Sequence, residues 1–465
     1  MLQLKTKKEL AEAAHSMASS FVLVRHRGAL YMPVDYETSV FGHQVPDPER
    51  TIWTRLTREE LRRAAATQHG ILFQSEGELA SFEYMTGQFS DTQDDAPKTM
   101  LMKTHHGLRE LQSDGKTTDP TGLFVPNAIL PMLNEDQDEK DRVFEVIVNW
   151  LADEDQAHSL LAHVSTSLAP SWPAVKYILL LGEGRNGKST FLKMLVRLYG
   201  AQNVSNVTRL DIAEKQPTVT DLNGKLLNVV FDGPAEYLKD SGMEKSLIAG
   251  EPVSIRKLYE STPTIVQTNG LFIEGLNQEP KSKDKSTALQ KRLVRFQFPN
   301  VYALDHSFER SMLTEKALGA LLSLLLDHFV TEDAVAVALA PTAKALELQV
   351  EHQLDNSLGA QFLQHLARTA ATGADELLDE TIPDVTAKFK SWRVRQDDLG
   401  TWPESDVVKQ LNAYINIERK SQRLPGGKVT KVKKVTSFKP DALAILASME
   451  GTPDGSDSVE ALVAD

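Results

Sequence analysis

Val175-Lys-Tyr-Ile-Leu-Leu-Leu181 runs directly into Gly182-Glu-Gly184-Arg-Asn186-Gly187-Lys188-Ser189-Thr190. The apolar stretch reads as a buried strand. Residues 182–189 match GxxxxGK[ST] in full. Phe191, Leu195 and Leu198 then recur at helical spacing, so the loop leads into a helix. This order has a physical basis. Glycines let successive backbone N–H groups turn toward phosphate oxygens, and a helix N-terminus adds partial positive charge. The pattern predicts that Gly182, Gly184, Asn186, Gly187 and Thr190 line a nucleotide phosphate site. Lys188 would reach the β- and γ-phosphates of ATP, and the Ser189 hydroxyl would bind Mg²⁺.

Hydrolysis needs a carboxylate at the end of a neighbouring strand, to hold the metal or orient water. Leu226-Leu-Asn-Val-Val-Phe231-Asp232 supplies an apolar strand ending in an acid. Glu236 is a candidate base and equally reads as a surface acid. Thr264-Ile-Val-Gln-Thr268-Asn269 reads as a third apolar strand with a polar end. An amide at Asn269 can sense the γ-phosphate or position water; the alternative is a turn asparagine. Lys291-Arg292-Leu-Val-Arg-Phe296 closes the core. A guanidinium at Arg292, presented to a neighbour's γ-phosphate, would stabilise the transition state. Without its surroundings, it reads as a surface basic pair.

These pieces, in this order, resemble superfamily 3 helicases, in the phage and plasmid primase–helicase branch that includes the poxvirus type. Asn186 to Leu192 is similar to that branch's P-loop, and Asn223-Gly-Lys-Leu-Leu-Asn228 resembles its approach to the Walker B acid, here Asp232. Lys245 to Tyr259 resembles the segment the family uses as a DNA-touching hairpin in a ring's pore, which implies that Arg256 and Lys257 face DNA. Thr268-Asn269 resembles the sensor and Asp284 to Arg292 the finger motif. The resemblance implies an AAA+-like P-loop core, ATP and Mg²⁺ as cofactors, and ATP bound between protomers of a homohexamer. Two features depart from the family pattern. Gly233 stands where a second acid is expected, and Leu271 to Ser282 is unusual after the sensor.

The fold expected is therefore α/β, with further regions around the ATPase core. Residues 1–100 read as a small α+β region of unknown role, with helices over Lys7–Ser20 and Arg58–Thr67, strands within Phe21–Pro33 and a loop over Asp91–Lys98. Residues 101–172 read as mostly helical, 173–300 as the core, and 301–370 as a helical lid or connector. Gly373 and Pro383 bracket a linker. The acidic tail, residues 450–465, reads as disordered and could dock replication proteins. The pairs Asp136/Asp138 and Asp153/Asp155 read as solvated helix acids rather than a primase metal site, and His105-His106 as loop residues.

Residues 376–449 read as a winged-helix-like DNA-binding domain. A helix over Thr381–Trp392 is followed by a second through Val407, Leu411 and Ile415, then by a hairpin around Pro425-Gly426-Gly427. Arg419, Lys420, Arg423, Lys428, Lys431, Lys433 and Lys434 cluster there, and the alternation predicts a strand with one basic face. Such a face suits phosphate contacts, which supply affinity without sequence choice. The alternative is a merely solvated basic hairpin.

Composition bounds the rest. The 465-residue chain has a formal charge of −13, so any nucleic-acid contact must come from local fields. The absence of cysteine excludes disulfides and thiolate metal sites. No apolar run is long enough to span a bilayer, and the N-terminal stretch lacks a signal-peptide pattern. The expected location is the cytoplasm, that of a bacterial host if the chain is phage-encoded. The expected activity is ATP-driven movement on single-stranded DNA and unwinding of forked duplex in phage or plasmid replication, without primase activity. Two other classes fit part of the pattern: an ATP-switched replication initiator or helicase loader, and a small-molecule P-loop kinase.

Overall fold

The computed structural model describes the chain outside residues 1, 4–6, 27, 28, 36–48, 70, 74, 93–98, 122, 234–240, 257–262, 280–286, 371, 372, 397–401, 424–428 and 448–465. The architecture is mixed α/β. It divides into two compact units, residues 1–280 with 292–340, and 281–291 with 341–465.

The first unit is organised around a five-stranded parallel sheet. Its order is Val204–Ser205, Leu227–Val230, Leu271–Leu276, Tyr177–Leu181, Leu293–Gln297. The runs are nearly continuously apolar because a parallel sheet is covered on both faces. On one face Ile178, Leu180, Ile273, Val229 and Phe296 share a core with Phe191, Leu192 and Leu195 of the helix Lys188–Tyr199. The helices Gln137–Leu151, Glu154–Ser165 and Glu315–Asp327 complete that layer. The register pairs Tyr177 with Phe272 and Leu179 with both Glu274 and Arg295, so these residues share the other face. That face buries charge.

Before this sheet the chain differs from expectation. Residues 101–130 are not helical. Met100–Thr104 and Gly107–Leu111 form an antiparallel hairpin, flanked by Ala128–Ile129 and Thr117–Thr118 in a four-stranded sheet. Met100 and Met102 alternate with Leu101, and both faces are covered, which masks the strand period. His105 and His106 occupy the hairpin turn. Asp136 and Asp153 cap the next two helices, accepting from the backbone N–H of Asp138 and Gln156.

Residues 2–92 form an α+β layer. The strands Thr51–Arg55, Ala29–Asp35, Val24–His26 and Asp91–Thr92 pair in that order, against the helices Lys7–Phe21, Arg58–His69 and Glu76–Phe89. The third helix lies beyond the sequence expectation. Ser75 marks its start by accepting from Glu78 N–H.

In the second unit the helices Leu358–Thr369, Ile382–Arg395, Glu404–Leu411 and Pro440–Ala447 pack with the hairpin Ile415–Arg423/Val429–Phe438. Phe362, Phe389 and Trp392 form its aromatic centre. Two expectations need correction. Ile415 begins a strand rather than continuing the helix, because the helix ends at Leu411 and Tyr414 and Ile415 turn into the core. The span bracketed by Gly373 and Pro383 is not a loose linker. Ala374, Leu377 and Ile382 are buried, and Asp379 and Glu380 hydrogen-bond to Val435 as a short extra edge of the hairpin. The turn at 425–427 and the acidic tail lie outside the described residues.

Candidate functional site

The Gly182–Ser189 loop joins the carboxyl end of strand Tyr177–Leu181 to helix Lys188–Tyr199. Ligands of open parallel sheets bind at such carboxyl ends. Gly182, Gly184 and Gly187 all adopt positive φ. Gly187 is the tightest case: at φ +96° a Cβ there would lie 2.4 Å from the Trp150 ring. Trp150, from the preceding helical layer, therefore packs directly on the loop.

Lys188 is 5% exposed. Its Nζ donates to the Gly182 carbonyl and to Asn186 Oδ1, the latter at 3.1 Å. Asn186 Nδ2 donates in turn to the Phe298 carbonyl at 3.2 Å. Burial lowers the Lys188 pKa, and the Asp232 carboxylate opposes that shift. Asp232 and Ser189 are exposed, and Thr190 is half-buried.

The group expected here from the loop's sequence is Mg²⁺ with ATP. Among the described residues no group of three or more His, Asp or Glu side chains could hold a metal ion. A hydroxyl, one carboxylate and phosphate oxygens are instead a fitting donor set for Mg²⁺, which keeps most of its waters and is seldom caged by protein alone. Ser189 and Asp232 would hold it.

The sensor position needs correction. Thr264–Val266 does not enter the parallel sheet. It pairs antiparallel with Val253–Ile255 as a separate hairpin. The strand beside Tyr177–Leu181 is Leu271–Leu276, and its parallel register places Asn269 before its first residue. Asn269 therefore sits at the opposite sheet edge from the loop, where Nδ2 donates to the Pro170 carbonyl at 3.0 Å. Six strand residues separate that edge from the loop, roughly 16–20 Å. The residue that follows this strand at its loop end is Asn277. It follows Leu276, whose carbonyl accepts from Gly182 N–H at 3.1 Å, and it is exposed. A signal was present: Gly275-Leu276-Asn277 is an apolar strand ending in an amide, with Pro280 close behind.

Arg292 stands at the start of strand Leu293–Gln297, where its carbonyl accepts from Tyr177 N–H at 2.7 Å. That too is the edge away from this chain's own loop. Glu236 and Lys257 lie outside the described residues. Arg256 is exposed at the end of strand Val253–Ile255.

No sequence pattern marks the charged face of the sheet. Arg209 Nε donates to Glu244 Oε1 at 2.6 Å, and its guanidinium lies 5.6 Å over the Tyr177 ring. The Tyr177 hydroxyl donates to Glu274 Oε2 at 3.3 Å. Burial pushes the Glu274 carboxyl up to about 7, against the lowering effect of Arg209. Arg295 pairs with Glu279 at 2.7 and 2.9 Å on the same face. None of these residues carries a motif, and distant segments contribute them.

In the second unit, the hairpin register places Arg419 opposite Lys433 and Ser421 opposite Lys431. Arg419, Lys431 and Lys433 are exposed on one face. Lys420 and Lys434 fall on the other, where Lys420 binds Asp379 at 3.0 Å. The basic residues thus divide over two faces rather than one, because the pleat alternates and they do not. The side chain of Arg423, and Lys428 altogether, lie outside the described residues.

A family model described as "Family of unknown function (DUF5906)" matches residues 180–292. That span runs from the loop strand to Arg292. No curated protein matches the chain. Among solved structures, "The A form apo structure of NrS-1 C terminal region-CTR" is similar over 92% of this chain and 98% of that one, at 12% identity and a TM-score of 0.50. "The apo structure of NrS-1 C terminal region (305-718)" aligns over the same shares at 12% identity and a TM-score of 0.43. At this identity the first likeness concerns the fold alone. No helix among the described residues is long and apolar enough to cross a membrane.

Proposed function

We propose that this chain is an ATP hydrolase of the superfamily 3 helicase type, acting as a ring on DNA during phage or plasmid replication. The observation that carries the reading is the buried Lys188 at the head of its helix, with Asp232 following the strand Leu227–Val230, two places across the same sheet from the loop strand. This is the arrangement a phosphate loop and a metal-holding carboxylate require. Bound Mg²⁺–ATP would supply the phosphoryl group to be transferred to water. Lys188 neutralises charge on the β- and γ-phosphates, Ser189 and Asp232 hold the metal, and Asn277 orients groups at the γ-phosphate.

Arg292 lies at the far edge of its own sheet, which supports a role toward a neighbouring protomer rather than its own nucleotide. The hairpin Val253–Ile255/Thr264–Val266 carries Arg256 and is the candidate DNA contact of the ring. The helices and basic hairpin of the second unit support a winged-helix-like DNA contact through Arg419, Lys431 and Lys433.

The deciding experiment is ATP-dependent unwinding of a forked duplex, with Lys188→Ala as control. Unwinding that disappears in the control supports the helicase reading. ATP hydrolysis stimulated by DNA without unwinding replaces it with an initiator or loader. No response to DNA removes the DNA-motor reading altogether.

A further inference from the structure

Asp232 is followed by glycine, so the chain lacks an acid at the position next to its candidate metal-holding carboxylate. The packing around Gly233 gives a reason. Its N–H donates to the Gly275 carbonyl at 3.0 Å, which draws the backbone onto strand Leu271–Leu276. A Cβ at 233 would lie 2.0 Å from Glu274 Oε1 and 2.5 Å from its Cδ. The Glu274 carboxylate therefore fills the space in which a side chain at 233 would begin. Any residue but glycine would displace it.

We infer that Glu274, delivered from the adjacent strand, is the second carboxylate of the nucleotide site, and that Gly233 is glycine to admit it. The inference rests on the ATP hydrolase reading and assigns that reaction its base. Three further observations support it. Glu274 lies three residues before Asn277 on the strand that abuts the loop, so its backbone is fixed relative to the loop by the Gly182–Leu276 hydrogen bond. Its Oε2 is held by the Tyr177 hydroxyl, while Oε1 is the oxygen on the Gly233 side. Burial, only partly offset by Arg209, brings the carboxyl to about 7, where a general base works best near neutral pH.

The step balances without further reactants. A water oxygen bonds to the γ-phosphorus and its proton passes to Glu274. The bond to the β,γ-bridging oxygen breaks, and its electron pair leaves with ADP.

The test uses the full chain, with nucleotide affinity measured separately from phosphate release. Glu274→Gln should bind ATP within about threefold of wild type and hydrolyse it at least about a hundredfold more slowly. The double variant G233E/E274A moves the carboxylate onto the other strand. It should recover at least about tenfold over Glu274→Gln, which a merely structural glutamate would not permit. Wild-type turnover in Glu274→Gln, loss of ATP affinity in step with turnover, or no recovery in the double variant overturns the inference. The parent reading fails separately, if wild type releases no phosphate or Lys188→Ala releases it at the wild-type rate.

Discussion

Arg209 and Glu244 form an ion pair at 2.6 Å with side chains only 2% and 3% exposed, and the Arg209 guanidinium lies over Tyr177 of the strand that leads to the glycine-rich loop. Arg209 comes from the short helix Arg209–Ala213, and Glu244 from the helix Gly242–Ile248 that leads into the Val253–Ile255 hairpin. Glu244→Ala should destabilise the first unit by about 3–5 kcal/mol, because it leaves a guanidinium buried without its counter-charge. Replacing both, as Arg209→Met with Glu244→Leu, should cost far less. Urea unfolding of the three proteins distinguishes the cases. A loss below about 1 kcal/mol in Glu244→Ala would mean that the pair carries little of the packing.

His163 is 1% exposed, and its Nδ1–H donates to the Ser159 carbonyl at 2.8 Å. Burial holds its pKa at about 4, against an ordinary 6.5. The unfolded chain therefore binds a proton between pH 6.5 and 4 that the folded chain refuses. Stability should fall as pH drops through that window, by about 3 kcal/mol in all. In His163→Leu this part of the acid sensitivity should vanish. An unchanged acid limb in thermal unfolding would show that His163 is not its source.

Asn269 and Asn277 make opposite predictions. Asn277→Ala should lower phosphate release by at least about tenfold, as expected for loss of an oriented amide at the reacting centre. Asn269→Ala should leave release within about twofold of wild type, since Asn269 binds Pro170 at the other sheet edge. The reverse ranking in steady-state assays would mean that the Leu271–Leu276 register does not describe the working site.

Arg419 and Lys433 face each other across the second unit's hairpin. If both contact phosphates, Arg419→Ala with Lys433→Ala should flatten the dependence of single-strand affinity on salt by about 1.4 log units per decade. Lys420→Ala should change the slope less, because Asp379 already pairs with that lysine. Equal slopes in wild type and the double variant would remove the hairpin from the DNA contact.

The sequence by itself determined the glycine-rich loop between the strand Tyr177–Leu181 and the helix Lys188–Tyr199. The strand, the glycines, Lys188, Ser189 and the following helix are contiguous, so local pattern carries their geometry. Asp232 was legible for the same reason, as the acid that ends an apolar run. The tertiary structure decided between two consecutive apolar runs that each offer an asparagine, Thr264–Asn269 and Leu271–Asn277, because strand register is a property of pairing partners and not of the run itself. It likewise turned residues 100–111 into a hairpin and Ile415 into a strand, where burial on both faces or a helix end hid the period. It also assembled Arg209, Glu244, Tyr177 and Glu274 from four separate segments onto one sheet face. Charges are tolerated there because each finds its partner across the fold, and no local pattern announces a partner that lies tens of residues away.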